Sequence, residues 1–146
     1  NEGVAGAVKQ TPGSVGYVEL AYAVQNKLPY AFLQNKAGKF VEPTLETTTA
    51  AAAAAAANMP EDMRVSIVNA PGENSYPIAG YTYLLVYKEQ ADAAKGKALV
   101  DFLWWAIHNG ESYARDLLYA PLPDNVVKLA EAKIKQIAYQ GKPLLQ

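Results

Sequence analysis

The residues able to do chemistry in this chain are few and widely spaced. There is one histidine, His108, and no cysteine. That removes thiol nucleophiles, disulfides and thiolate zinc sites, and a lone imidazole cannot build a histidine metal cluster. Carboxylates adjoin at Glu61-Asp62, and Glu2 and Glu19 stand near the first two helical stretches. Such pairs do acid–base work when burial or a neighbouring charge separates their pKa values; nothing around these pairs predicts burial, and they read as solvated faces or caps. Gly13-Ser14-Val15-Gly16 lacks the Gly-x-Ser-x-Gly spacing of a nucleophile elbow, and neither glycine-rich phosphate loop pattern occurs. No catalytic residue, metal site or cofactor is assigned, and the chain reads as a non-enzyme.

The remaining candidates have plain structural readings. His108 falls near the end of a helix, where a protonated imidazole complements the dipole. Trp104-Trp105 reads as helix core with partial surface. Tyr76, Tyr81, Tyr83 and Tyr87 alternate around one apolar run, which fits either the lining of a cleft or a wide buried sheet.

The elements that would position these residues alternate helix with strand. Asn1 can cap a first helix carrying Val4, Ala5 and Val8 on one side, and Thr11-Pro12-Gly13 ends it. Residues 15–18 read as a short buried strand whose Gly16 marks a close backbone approach, and residues 19–26 as a helix. Residues 30–34 and 39–41 read as a hairpin around Lys36-Ala37-Gly38. Thr44, or Thr47, caps the next helix, which runs through eight consecutive alanines at 50–57 on propensity alone. Residues 64–69 are open between strand and helix end.

Residues 78–87 carry the strongest strand signal, apolar nearly throughout, as a central strand covered on both faces would be. Residues 92–109 predict a long helix with Leu99, Val100, Leu103, Trp104 and Ile107 inward. A short helix at 111–118 follows, and Asp124 caps a last one at 125–139 with Val127, Ala130, Ile134 and Ile137 along one side. The class is α/β.

Bulk composition narrows the partners. The chain has 146 residues, half of them hydrophobic, enough for a core, and a formal net charge of −1. No basic cluster supports nucleic-acid or anionic-membrane binding. No apolar run approaches the roughly 20 residues of a spanning helix. No signal peptide is recognised, and Asn1-Glu2-Gly3 reads as an internal start, either a mature end or a fragment.

Four segments carry a resemblance: Pro12-Gly13-Ser14-Val15-Gly16-Tyr17-Val18-Glu19, Tyr76-Pro77-Ile78, Tyr119-Ala120-Pro121-Leu122-Pro123-Asp124-Asn125-Val126-Val127, and Gly141-Lys142-Pro143-Leu144. In this order and spacing the chain resembles the C-terminal half of the periplasmic phosphate-binding proteins of phosphate ABC importers, the PstS family, over essentially its whole length. The alanine run departs from the family pattern.

The resemblance implies a periplasmic binding protein of type II-like α/β architecture, with two lobes joined by a hinge that close on one phosphate. Residues 1–76 would be the C-terminal part of lobe II and residues 77–146 that of lobe I, with the hinge crossing at Tyr76 and Pro77. The family's phosphate ligands lie in motifs upstream of Asn1. Neither arginine, Arg64 or Arg115, stands in such a motif, so no phosphate ligand is assigned here. The implied partners are inorganic phosphate, the N-terminal half of the same protein and an ABC transporter permease, with no nucleic acid. The implied location is periplasmic or extracellular, with a membrane anchor left open. A phosphate-releasing hydrolase or a receptor for another tetrahedral oxyanion is the alternative on the same fold. Each half would have strand edges without partners, so the chain is expected not to fold stably alone.

Overall fold

The computed structural model describes residues 1–145. Six α-helices carry most of the order among them: α1 (Glu2–Gln10), α2 (Leu20–Gln25), α3 (Leu45–Ala55), α4 (Ala93–Ala106), α5 (Glu111–Asp116) and α6 (Asp124–Ile134). The strands are two-residue pieces in two antiparallel hairpins, β1 (Leu33–Gln34) with β2 (Phe40–Val41) and β3 (Ala138–Tyr139) with β4 (Lys142–Pro143). The chain thus has the mixed helix and strand order of an α/β protein, without a sheet beyond these hairpins among the described residues.

The helices start where their capping chemistry puts them. Thr44 and Thr47 act together: the Thr47 N–H donates to Thr44 Oγ1 at 3.2 Å, and the Thr44 N–H donates to Thr47 Oγ1 at 3.0 Å. This is a capping box in which threonine replaces the usual Glu or Gln. Asp92 caps α4 by accepting the Lys95 N–H at 2.8 Å. The alanines of α3 let neighbours approach closely, and Ala52 and Ala55 pack on Ile67, with Val65, Ala79 and Tyr81 alongside.

Three expectations need correction at helix ends. Asn1 precedes α1 but makes no side-chain cap bond; its Oδ1 accepts the Glu19 N–H at 2.9 Å and so ties α1 to the start of α2. The last helix is shorter than 125–139. Pro123 is its N-cap, Asp124 is its first residue, and the chain leaves the helix after Ile134 to form β3. Of the expected stripe, Ile134 and Ile137 are buried, Ile137 just past the helix end, while Val127 and Ala130 are half-buried and Val126 is buried in their place.

The two strands read most firmly from residue type are not strands. Residues 15–18 form an irregular stretch, with Val15 96% exposed. Gly16 does sit close to another element: a Cβ there would come within 2.8 Å of Val8 and 2.9 Å of Val4 on α1. Residues 78–87 carry no ladder, and Leu85 is 94% exposed. β-branched and aromatic residues favour a pleated surface only when another strand pairs their N–H and C=O groups. Among the described residues no such neighbour lies beside 78–87. Pairing begins just after it, where Ala138 donates to the Lys88 carbonyl at 2.8 Å and Gln90 donates to the Ala138 carbonyl at 2.7 Å. Residues 64–69, left open above, are irregular too.

Apolar burial falls into two clusters. One joins Val100 and Leu103 of α4 to Ile134 and Ile137, with Val86, Trp104, Ile107 and Leu144 around them. The other is the α3 cluster on Ile67. Polar contacts tie the two regions. Thr49 Oγ1 donates to the Pro121 carbonyl at 3.0 Å, and the Asn125 side-chain amide donates to the Ala53 carbonyl at 3.1 Å.

Candidate functional site

An open cleft of about 1420 Å³ lies between these regions. One wall comes from α4 (Leu103, Ile107) and α6 (Ala130, Ile134), and another from the unpaired run 81–86. Residues 59–64 close one end. The lining is mostly apolar, because the cluster of Val100, Leu103, Ile134 and Ile137 continues outward into it.

The tyrosines of the run split between roles. Tyr81 donates to the Ala52 carbonyl at 3.2 Å, and Tyr83 donates to the Val65 carbonyl at 3.0 Å while accepting the Val65 N–H at 3.3 Å. Their rings meet edge to face with centroids 6.1 Å apart. Burial pushes the Tyr81 phenol up. These two therefore hold one end of the run against 65–67 and α3. Tyr87 lies beyond, exposed. Of the two readings of the tyrosine pattern, the cleft wall is realised by Tyr81 and Tyr83, and the wide sheet is not found among the described residues.

Neither arginine faces the cleft as a free cation. Arg64 pairs with Asp62 at 2.7 Å, and its hydrogen bonds hold that carboxyl below the usual carboxylate range. Arg115 lies 3.5 Å from Glu46. Glu46 is itself held low, first by its own backbone N–H and then by Thr44. Both pairs are exposed, so solvent screens them and they contribute little to stability.

The carboxylate pairs considered from sequence are kept apart by their partners. Glu61 reaches Lys133 at 3.6 Å while Asp62 takes Arg64. Glu2 accepts from the Tyr22 hydroxyl at 3.3 Å, and Glu19 accepts from Tyr119 at 3.1 Å. The nearby Glu2 charge raises the Tyr22 phenol, and the Glu19 hydrogen bond raises that of Tyr119. This geometry joins elements, and the two carboxylates that line the cleft, Glu61 and Asp62, are each paired with a cation. His108, read from sequence as lying near the end of a helix over 92–109, stands just past α4, which ends at Ala106, and also reaches across to Glu131 at 3.0 Å. Among the described residues no group of three or more His, Cys, Asp and Glu side chains could hold a metal ion.

The segment around Tyr76-Pro77 is held by Asn35 and Ser75, which the sequence alone does not single out. Asn35 is buried in the β1–β2 turn, and its side-chain amide donates to the carbonyls of Gly72, Glu73 and Ser75 at 3.2, 2.8 and 3.2 Å. Its Oδ1 accepts the N–H groups of Ala37 and Lys39 at 3.0 and 3.1 Å. Ser75, also buried, donates to the Pro71 carbonyl at 2.7 Å. Tyr76 N–H then donates to the Thr47 carbonyl at 3.1 Å, and Asn69 N–H to that of Pro77 at 2.8 Å. Residues 72–77 are therefore anchored to the β1–β2 turn and to α3. An asparagine inside a turn was the one available signal, since its amide can bond backbone locally and at a distance.

Comparison with known proteins adds the family. A model of the PBP superfamily domain matches residues 1–105. The chain is 48% identical over 132 residues to the phosphate-binding protein PstS of Xylella fastidiosa (strain Temecula1), covering 90% of this chain and 36% of that protein. It is 42% identical over 148 residues to the phosphate-binding protein PstS of Pasteurella multocida, covering 100% of this chain and 43% of that protein. With the PstS of Methanocaldococcus jannaschii it shares 40% identity over 149 residues, 94% of this chain and 38% of that protein. The chain thus spans well under half the length of these relatives.

Proposed function

The chain belongs to the PBP superfamily, and from that premise we propose that it is the C-terminal part of a PstS-type receptor. In this reading the whole protein binds inorganic phosphate between two lobes and delivers it to an ABC transporter permease for import. It acts as a binding protein and not as an enzyme. Its place is periplasmic or extracellular; no described helix is long and apolar enough to cross a membrane.

The observation that carries this reading is the match of nearly the whole chain to phosphate-binding relatives more than twice as long. Three features support it. The apolar run 78–87 is unpaired, as a sheet strand awaiting its neighbours would be. The two apolar clusters draw mainly on 52–67 and on 86–145, either side of Tyr76-Pro77, in keeping with parts of two lobes meeting at a hinge there. Both arginines are engaged by carboxylates, in keeping with phosphate ligands located elsewhere in the polypeptide.

The test is a calorimetric titration of the whole protein with phosphate, with sulfate as competitor, repeated across pH. One phosphate per protein, undisturbed by sulfate, supports the reading. A preference for sulfate, or turnover of a phosphate ester, replaces it with the oxyanion receptor or the hydrolase.

A further inference from the structure

His108 has both ring nitrogens on oxygens that can only accept. Nδ1 lies 2.7 Å from the Trp104 backbone carbonyl, and Nε2 lies 3.0 Å from Glu131 Oε1 on α6. A carbonyl and an ionised carboxylate offer no proton. A neutral imidazole has a single N–H, so it can serve one of these contacts while its other nitrogen turns a lone pair toward oxygen. The imidazolium serves both.

We propose that His108 is a fixed imidazolium clasp joining the end of α4 to α6, and that its deprotonation loosens the cleft wall those two helices form. The clasp is placed to act on that wall. Its α4 end lies next to Ile107 and one turn from Leu103, and its α6 end lies next to Ala130 and three residues from Ile134.

The surrounding charges favour the cation. On α6 Glu131 faces it directly; on α5 Glu111 adds a second negative charge. Lys135, just past α6, opposes them: it lies 4.0 Å from Glu131 Oε2 and 5.3 Å from the Trp104 ring centroid. The Trp104 ring stacks on the imidazole at 4.6 Å with a 30° tilt, and its face attracts a cation. The Trp104 carbonyl first, then Glu131, hold the imidazole above its ordinary value against a smaller desolvation effect. With a folded value raised above the unfolded one, near 6.5, the clasp contributes fully below about pH 6.5 and is lost as pH rises through the folded value.

The test uses the whole protein, with this chain isotope-labelled so that His108 is its one visible histidine. Ring-nitrogen NMR should show both nitrogens protonated at about pH 5.5, a titration midpoint above about 6.5, and a lower midpoint in Glu131→Gln. The melting temperature of the wild type should exceed that of Glu131→Gln at low pH, with the gap closing as pH rises through the midpoint. A midpoint at or below about 6.5, or one unmoved by Glu131→Gln, overturns the proposal. Should the variant not fold, the wild-type titration alone decides.

Discussion

Thr49 and Pro121 are 72 residues apart in the chain, yet the Thr49 hydroxyl donates to the Pro121 carbonyl at 3.0 Å. One helical turn further along α3, the Ala53 carbonyl accepts from Asn125 at 3.1 Å. Two successive turns of one helix thus hold the rigid Pro121-Leu122-Pro123 entry to α6. The tie joins residues on either side of Tyr76-Pro77, the proposed lobe division, and in that reading it is a contact between the lobes. Thr49→Val keeps the shape and removes the donor, which should cost about 1 kcal/mol in denaturant unfolding of the whole protein. No change would place the contact outside the energetics of the fold.

Asn35 offers a sharper experiment, because its amide and its carbonyl oxygen both have buried duties. Asn35→Ala should destabilise by about 1–3 kcal/mol, since the Ser75 carbonyl and the Ala37 and Lys39 N–H groups lose their partner. Asn35→Asp should be worse than the alanine variant. The carboxylate keeps the acceptor but points negative charge at three carbonyls. Chemical denaturation of the two variants side by side reads the order, and an aspartate variant as stable as wild type would refute it.

Gly16 tests the close approach read from its position. A methyl group there must displace Val8 and Val4 of α1. Gly16→Ala is expected to destabilise by about 1 kcal/mol or less, since the two valines are partly exposed and can shift. A compensating Val8→Ala change should recover part of that loss, and melting curves of the single and double variants measure the recovery.

Ile67 is 2% exposed and is the large side chain on which the small residues of α3 close. Alanines cannot rearrange to fill space, so Ile67→Ala should leave a cavity and cost about 2–5 kcal/mol. A loss under 1 kcal/mol in thermal or denaturant unfolding would mean that the cluster is not a core.

What could be read from the sequence divides by how local its cause is. Helices α3 and α4 were legible because Thr44 and Asp92 act within three residues of themselves, and because alanine favours helix without help from elsewhere. The β1–β2 hairpin was legible for the same reason: Lys36-Ala37-Gly38 is turn chemistry, and Gly38 takes the positive φ it requires. Residues 78–87 show the limit. Their side chains specify a pleated, covered surface, but a strand exists only with a partner, and none stands beside them among the described residues. The Asn35 anchor and the His108–Glu131 pair join residues 23 to 40 positions apart, which no local pattern encodes. Resemblance supplied the lobe plan, which residue chemistry alone did not.

The most direct measurement of the central claim is amide hydrogen exchange on residues 78–87, in the chain alone and when joined to the remainder of its protein. Exchange at nearly the rate of an unstructured peptide in the isolated chain, falling by orders of magnitude on joining, is what an incomplete pair of lobes predicts. Strong protection of 78–87 in the isolated chain, with a cooperative melt, would contradict it.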